Sequence, residues 1–137
     1  MSWNLYKKTR ERLSLERGTV FKDFGGKLTM VLAYPNTYYV GMSNLGFQKV
    51  YALLNADEEI LCERVFLPDP EDSDLYQRSR LPLFSLESQT SLNRFDVLAF
   101  SLSFEMDSLN ILQMLELAHI PLKSEERGEE YPLVLAG

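Results

Sequence analysis

The feature that most constrains the fold of this chain is a set of short segments that are apolar at consecutive positions. Residues 28–34 read LTMVLAY, and residues 97–102 read VLAFSL. A strand with one face in water alternates apolar and polar residues, whereas strands covered by helices on both faces are continuously apolar. Residues 28–34 therefore predict a strand that is buried on both faces, as in a parallel sheet.

Helices are predicted between the apolar runs. Residues 4–16 predict a short helix, and residues 43–55 predict a second helix with Ser43 as its N-cap. In the second helix, four apolar residues fall at i, i+3, i+4 and i+7 and so share one face: Phe47, Val50, Tyr51 and Leu54. Further strands are predicted at 60–67, 96–103 and 133–136, and a third helix is predicted at 105–119 with Ser103 as its N-cap. Residues 69–80 are acidic and predict a loop with a short helical turn.

The order of these elements predicts an α/β fold with right-handed crossovers. We expect a flavodoxin-like (Rossmann-like) open parallel sheet with helices on both faces. Residues 1–25 are predicted to form an N-terminal helix and a lead-in strand at 19–24, and residues 26–137 the α/β domain. Because a complete doubly wound domain carries another helix after a buried last strand, the predicted domain is truncated after its fourth strand.

Charge argues against nucleic acid as a partner. The chain has 137 residues and a net charge of −6, with +3 in residues 1–17 and −9 in the remainder. Such an acidic body repels a phosphate backbone. The basic N-terminal stretch, which includes Lys7, Lys8, Arg10 and Arg12, is either a solvated helix face or a contact for an acidic partner.

The sequence also argues against a membrane or an exported protein. It contains no apolar run of about 18 residues and no secretory signal. The single cysteine, Cys62, cannot form an internal disulfide or hold an iron–sulfur cluster alone. We therefore predict a cytoplasmic protein. The sequence does not specify an oligomeric state.

The loop at residues 35–46 is the main candidate for ligand binding. Ligands of open parallel sheets bind beyond the carboxyl ends of the strands, and this loop joins a strand to a helix N-terminus. It does not contain G-x-G-x-x-G. Gly41 and Gly46 have the spacing of a phosphate loop, but Phe47 and Gln48 stand where Lys and Ser or Thr are required.

The same loop resembles cobalamin-binding domains of flavodoxin-like architecture. Asn36-x-Tyr38-x-x-Gly41 matches their D-x-H-x-x-G pattern. Ser101 and Ser103 are similar to their Ser-x-Leu element after a later strand, and Gly137 stands where their Gly-Gly pair begins. Together with the helix N-terminus and the third loop, the resemblance implies the cofactor-binding residues Asn36, Tyr38, Gly41, Ser43, Gly46, Ser101, Ser103, Glu105 and Gly137.

A narrower resemblance covers residues 16–137. The ordered blocks are YPNTYYVGMSNLG (34–46), ERVFLP (63–68), PLFSLES (82–88), FDVLAFSLSFE (95–105) and PLVLAG (132–137). They look like the N-terminal cobalamin-binding-like domain of uncharacterised radical SAM proteins. In that family the domain precedes a barrel that binds a 4Fe-4S cluster and S-adenosylmethionine. The resemblance implies that this barrel, in the same full-length chain, is the partner of the domain.

Two departures from these patterns limit what the chain does alone. Tyr38 replaces the cobalt-ligating histidine and Asn36 its orienting acid, and a phenol with a pKa of about 10 is a poor cobalt ligand. Cobalamin, if bound, is held without a protein histidine. One cysteine cannot hold the cluster, so the cluster and S-adenosylmethionine belong to the downstream domain. The expected function is to position cofactor or substrate over that barrel; the alternative is a non-catalytic scaffold that has lost cobalamin and docks the barrel.

Overall fold

The computed structural model describes residues 2–137 and contains a four-stranded parallel sheet. The strands are β1 (Leu28–Tyr34), β2 (Ile60–Phe66), β3 (Val97–Phe100) and β4 (Leu133–Ala136), in the order β2-β1-β3-β4. Both neighbours of β1 run parallel to it, with Met30 opposite Cys62 on one side and Val97 on the other. The predicted flavodoxin-like open sheet is confirmed.

Five α-helices accompany the sheet in the described residues. They are α1 (Trp3–Ser14), α2 (Tyr38–Met42), α3 (Leu45–Ala56), α4 (Pro70–Ser79) and α5 (Ser108–Leu117). Single turns of 3-10 helix lie at Leu92–Arg94, Glu105–Asp107 and Ser124–Glu126. No helix in residues 2–137 is long and apolar enough to span a bilayer.

The core is divided between the two faces of the sheet. Val31, Leu98 and Met114 are fully buried on the face covered by α4 and α5. Leu32, Phe47 and Tyr51 lie on the other face, where α3 packs. This division follows from the alternation of side chains along each strand, and it places helices on both faces.

The prediction of a loop with a short helical turn at residues 69–80 is wrong, because Pro70–Ser79 form the full helix α4. Pro70 occupies the first turn, where its fixed φ suits a helix and its missing N–H costs nothing. Glu71 and Asp72 lie in the same turn and interact favourably with the helix dipole. Lys8 of α1 donates to Asp69 at 2.8 Å and to Asp72 at 2.6 Å, which neutralises the acidic cluster.

Two predicted helix caps are also wrong. The N-cap of α3 is Asn44, whose side chain accepts from the Phe47 N–H at 2.9 Å, because residues 38–42 already form α2. Asp107 precedes α5, and Ser103 lies outside it. Within α3, Val50 is exposed rather than buried, whereas Phe47 and Tyr51 are buried against the sheet.

The N-terminal segment crosses the β2 side of the sheet before β1 begins. Leu5 of α1 is buried in the core. Residues 15–27 contain no strand, in contrast to the predicted lead-in strand at 19–24. The Val20 N–H donates to the Tyr51 hydroxyl at 3.0 Å rather than to a neighbouring strand, so this segment is held by side chains.

Candidate functional site

The loops after β1 and β3 meet at the carboxyl edge of the sheet. The Asn44 amide donates to the Ser103 hydroxyl at 3.2 Å, and the Asn44 carbonyl oxygen caps α3. Ser43 and Gly46 flank Asn44 on the exposed side. Because β2 and β3 lie on opposite sides of β1, this junction is the switch point at which open sheets bind ligands.

A second polar contact joins the same two loops at greater depth. The Asn36 amide donates to Asp107 at 3.1 Å, and its carbonyl oxygen accepts from the Thr37 N–H at 2.8 Å. Asn110 of α5 donates to the Pro35 carbonyl at 2.9 Å. One carboxylate oxygen of the buried Asp107 has no hydrogen-bond partner among residues 2–137. These contacts hold the β1 loop against the start of α5.

Tyr38 lies away from this junction, on the β2 side of β1. Its ring packs edge-on against Phe66 of β2, and its hydroxyl donates to Glu16. The Arg12 guanidinium stacks on the ring, 4.6 Å from its centroid. Burial, followed by the hydrogen bond to Glu16, raises the pKa of the phenol well above its usual value. Tyr38 is therefore a protonated, internally bonded core residue.

Gly41 also packs tightly against protein side chains. A Cβ atom at Gly41 would lie 2.5 Å from a ring carbon of Phe66 and 3.2 Å from the Cβ of Tyr34. Since real Cβ atoms do not approach carbon so closely, only glycine lets α2 pack on β2 at this position. The group that approaches Gly41 closely is therefore the Phe66 ring, which also contacts Tyr38, and not a ligand.

The remaining predicted residues lie along the carboxyl edge without converging on one point. The Ser43 hydroxyl donates to the Tyr39 carbonyl at 2.7 Å. The Ser101 N–H donates to Ala33, and the Leu102 N–H donates to Gly137, so Ser101 and Gly137 are neighbours at the ends of β3 and β4. Glu105 is exposed on its 3-10 turn.

These residues do not place a side chain where it could ligate the cobalt of a corrin from below. Tyr38 faces Glu16 instead of the switch point, and Asn36 is bonded to Asp107. Residues 2–137 hold no group of three or more metal-ligating side chains. Cys62 is buried in β2, and burial raises the pKa of its thiol to about 12, so it is an inert core residue.

An open cavity of about 420 Å³ lies beyond the carboxyl ends of β1 and β2. It is bordered by Thr37 and Leu67 from those ends, by Ser73 of α4 and by Gln113 of α5. The nine predicted cofactor-binding residues do not line it. The cavity is therefore separate from the junction at Asn44.

A buried ionic network beside Tyr38 was not predicted from the sequence. Arg64 of β2 donates to Glu16 at 2.7 Å and to Glu87 at 2.8 Å. Tyr51 of α3 donates to Glu87 at 2.6 Å, and its ring stacks on the guanidinium at 4.4 Å. The only sequence signal is a charged pair, Glu63–Arg64, inside an apolar strand. The network joins residues 16–20, α3 and the segment after α4 to β2.

Comparison with known proteins identifies the family. The sequence model of the family described as "Radical SAM proteins, N-terminal" matches residues 46–137. The chain belongs to this family. No curated protein and no solved structure matches the chain significantly. The radical SAM resemblance seen in the sequence is thus confirmed at the level of the family.

The most distinctive surface of this radical SAM N-terminal domain is apolar. Large hydrophobic side chains are exposed on the loops and helix starts at the carboxyl edge, with Met106 91% and Leu45 79% accessible. We call this set the carboxyl-edge patch: Tyr39, Val40, Leu45, Phe104, Met106 and Leu109. The Asn44–Ser103 hydrogen bond brings Leu45 and Phe104, which follow these residues in the chain, near each other, whereas the Tyr39 ring lies beside Tyr38 and the Arg12 guanidinium. No sequence pattern marked these residues as exposed.

We expect the Glu16–Arg64 pair to make the stability of the domain pH-dependent. Burial raises the pKa of Glu16, but donation from Arg64 and Tyr38 outweighs it and leaves that pKa below its usual value. A carboxyl with a lowered folded-state pKa stabilises the fold fully above its unfolded pKa and loses that contribution as the pH falls through the folded pKa. Glu16→Gln should therefore cost about 2 kcal/mol at pH 7, and progressively less on acidification.

Urea unfolding of the wild-type protein and of Glu16→Gln between pH 7 and pH 3 measures the difference in their free energies of unfolding. Glu11→Gln is the matched control, because Glu11 is exposed and pairs with Lys7 only at 3.9 Å. A Glu16→Gln cost that stays constant across this pH range would contradict the assignment.

Proposed function

We propose that this domain is a docking module of a radical SAM protein, seated on the catalytic barrel through its carboxyl-edge patch. The radical chemistry, with its 4Fe-4S cluster and S-adenosylmethionine, belongs to the barrel. The observation that carries the proposal is the exposure of large apolar side chains on two loops that hydrogen bonds hold together.

The patch has the character of a protein interface. Aromatic residues and methionine are enriched in interface cores, whereas lysine and glutamate are depleted there. Tyr39, Phe104 and Met106 supply such side chains, and Asn44, Ser103 and Glu105 stand beside them as polar neighbours. Contiguous apolar surface on a soluble protein typically marks an interaction site.

Hydrogen bonds join the two loops in the absence of a partner, which favours docking. Asn44–Ser103 and Asn36–Asp107 each join the β1 loop to the β3 loop. Gly41 lets α2 pack directly on Phe66, so Tyr39 and Val40 stand on a fixed helix. A preformed surface loses less side-chain and loop entropy on association.

The barrel is the partner that we favour because the family places this domain at the N-terminus of radical SAM proteins. The side chains that the resemblance assigned to a corrin support the same choice. Tyr38 and Gly41 are used in packing against β2, and Asn36 in bonding Asp107. The side chains that stay exposed near the junction, such as Leu45 and Phe104, are apolar and suit contact with a protein.

We predict that Met106→Asp combined with Leu45→Asp separates the domain from the barrel in the full-length protein. Charge at two central positions of an apolar contact leaves buried carboxylates unpaired. Hydrogen exchange by mass spectrometry should show about 10-fold faster exchange for residues 37–46 and 102–109. Circular dichroism should show an unchanged fold, because both side chains are solvent-exposed in the isolated domain.

The control is Leu15→Asp, which changes an 88% exposed leucine that follows α1 and is not part of the patch. Unchanged exchange in the double variant would contradict docking through this surface. Saturable binding of hydroxocobalamin to the wild-type chain, followed by absorbance, would favour the corrin hypothesis instead.

A further inference from the structure

The open cavity of about 420 Å³ lies beyond the carboxyl ends of β1 and β2, the edge at which parallel sheets bind ligands. Its volume is within the range of pockets that hold small molecules. Part of its lining is apolar and consists of Leu67, Pro68 and Pro70. The lining also contains hydroxyl and amide groups, which both donate and accept hydrogen bonds: Thr37, Ser73, Gln77 and Gln113.

The hydroxyl of Ser73 has no protein partner at this cavity. Ser73 is 8% exposed, and its Oγ makes no hydrogen bond to any group in residues 2–137. A buried hydroxyl without a partner costs free energy. Because Ser73 lines the cavity, a polar group of a ligand placed there would supply the missing hydrogen bond.

The local structure of α4 explains why Ser73 has no partner in its own helix. Ser79 of the same helix donates to the Leu75 carbonyl, four residues earlier, at 2.7 Å. The corresponding acceptor for Ser73 is the Asp69 carbonyl, which already accepts from the Asp72 and Ser73 N–H groups at 2.9 Å each. A carbonyl oxygen has two lone pairs, so both are used. The Ser73 hydroxyl is thereby left for a partner outside the helix.

The charges at the cavity favour a neutral ligand. Among residues 2–137, no lysine or arginine lines it, so an anion would find no cationic partner there. The carboxylate in the lining is Asp74, which pairs with Arg78 at 2.9 Å. Since Arg78 already neutralises this carboxylate, it attracts a cation only weakly.

We infer that this cavity binds a neutral polyhydroxylated ligand, a sugar ring with free neighbouring hydroxyls, through Ser73 and the amide groups beside it. Sugar hydroxyls donate and accept hydrogen bonds, as the hydroxyls and amides of the lining do. The C–H surface of the ring suits the two prolines. A free monosaccharide and the sugar unit of a nucleoside or a glycan share this chemistry. None of the lining residues belongs to the carboxyl-edge patch, so the inference does not depend on the docking proposal.

Titration of the isotope-labelled chain with methyl β-D-ribofuranoside and methyl α-D-glucopyranoside, followed by amide chemical shifts in NMR, tests the site. We expect saturable shifts at residues 37, 67–77 and 113 for at least one glycoside, with a Kd of about 1–10 mM for a few uncharged hydrogen bonds in an open cavity. Uridine and maltose distinguish the sources. Tighter binding of uridine would support a nucleoside as the ligand, and tighter binding of maltose would support a glycan end.

Ser73→Ala should weaken glycoside binding about 5-fold or more, because one hydrogen bond to the ligand is lost. It should not lower the urea midpoint of the free protein, since the hydroxyl bonds nothing in residues 2–137. Gln113→Ala, on α5, should weaken binding as well. The matched control is Ser79→Ala, the same change on the same helix at a serine that does not line the cavity.

Several results would overturn the inference. One is the absence of saturable shifts with both glycosides at concentrations up to about 100 mM. Another is equal affinity of wild type and Ser73→Ala, or a loss of stability in Ser73→Ala that would assign its hydroxyl to folding. Tighter binding of inorganic phosphate or tetramethylammonium would show a site for charge. Met106→Asp with Leu45→Asp should bind glycosides normally, because neither residue lines the cavity, so a failure of docking is distinguishable.

Discussion

Arg64→Met is expected to lower the free energy of unfolding by about 3–5 kcal/mol, the usual cost of removing one partner from a buried ion pair. Arg64 is 3% exposed and is bonded to two carboxylates, Glu16 and Glu87. Methionine fills much of the same volume, so the loss is mainly electrostatic. Glu87 would stay buried without its cation, and burial alone already raises its pKa. Urea unfolding at pH 7 measures the change.

Arg78→Met is the matched control for this experiment. Arg78 pairs with Asp74 at 2.9 Å on the surface of α4, with more than half of each side chain exposed. An exposed pair contributes about 0–1 kcal/mol. If the Arg64 and Arg78 variants lose the same stability, the buried network does not hold the N-terminal segment on β2. Adding Glu16→Gln and Glu87→Gln to Arg64→Met should recover part of the loss, because the two carboxylates that Arg64 neutralises are then removed together with it.

Gly41→Val should destabilise the domain by about 3 kcal/mol, at the upper end of what overpacking a core costs. The new Cβ would meet the Phe66 ring at 2.5 Å, and Phe66 is itself held by Tyr38 and Phe47. Gly41 has an ordinary φ, so the effect is steric. Thermal and urea unfolding measure it.

A double-mutant cycle with Phe66→Ala identifies the clash. If the Phe66 ring is the obstacle, the two changes together should cost less than their sum by about 1–3 kcal/mol. Gly25→Ala is the control, since a Cβ atom there meets nothing within 4 Å, and it should change stability by less than about 0.5 kcal/mol. Additive costs in the cycle would show that Gly41 is not required for packing on Phe66.

The architecture could be predicted from the sequence because it depends on local patterns of apolar residues. The apolar run at 28–34 and the helix–strand alternation predicted a parallel sheet, which the order β2-β1-β3-β4 confirms. The full length of α4 was not predicted from these patterns, since its first turn is acidic and its apolar face is short. Lys8, more than sixty residues away in sequence, neutralises that turn, and no local pattern reports such a contact.

The site was less predictable from the sequence. The loop at 35–46 and the residues around Ser103 were recognised from their places after strands, and the structure brings Asn44 and Ser103 together. Tyr38 and Gly41 were grouped with them by motif spacing. Tyr38 packs against Phe66 and contacts Glu16 and Arg12, and Gly41 packs on Phe66. These partners come from two other parts of the chain, β2 and the N-terminal segment.

The sequence by itself determined the four strands of the sheet, the burial of β1 on both faces and the family, because continuous apolar runs and ordered blocks are properties of neighbouring residues. The expected burial of the last strand is wrong, because Leu133 and Leu135 of β4 are exposed. Only the tertiary structure decided what the edges of the sheet do. Arg64 and Glu87 meet because the segment after α4 lies along β2, whereas β4 receives no such cover. Pairing between distant segments depends on where the backbone brings them, and backbone position follows from packing of the whole domain.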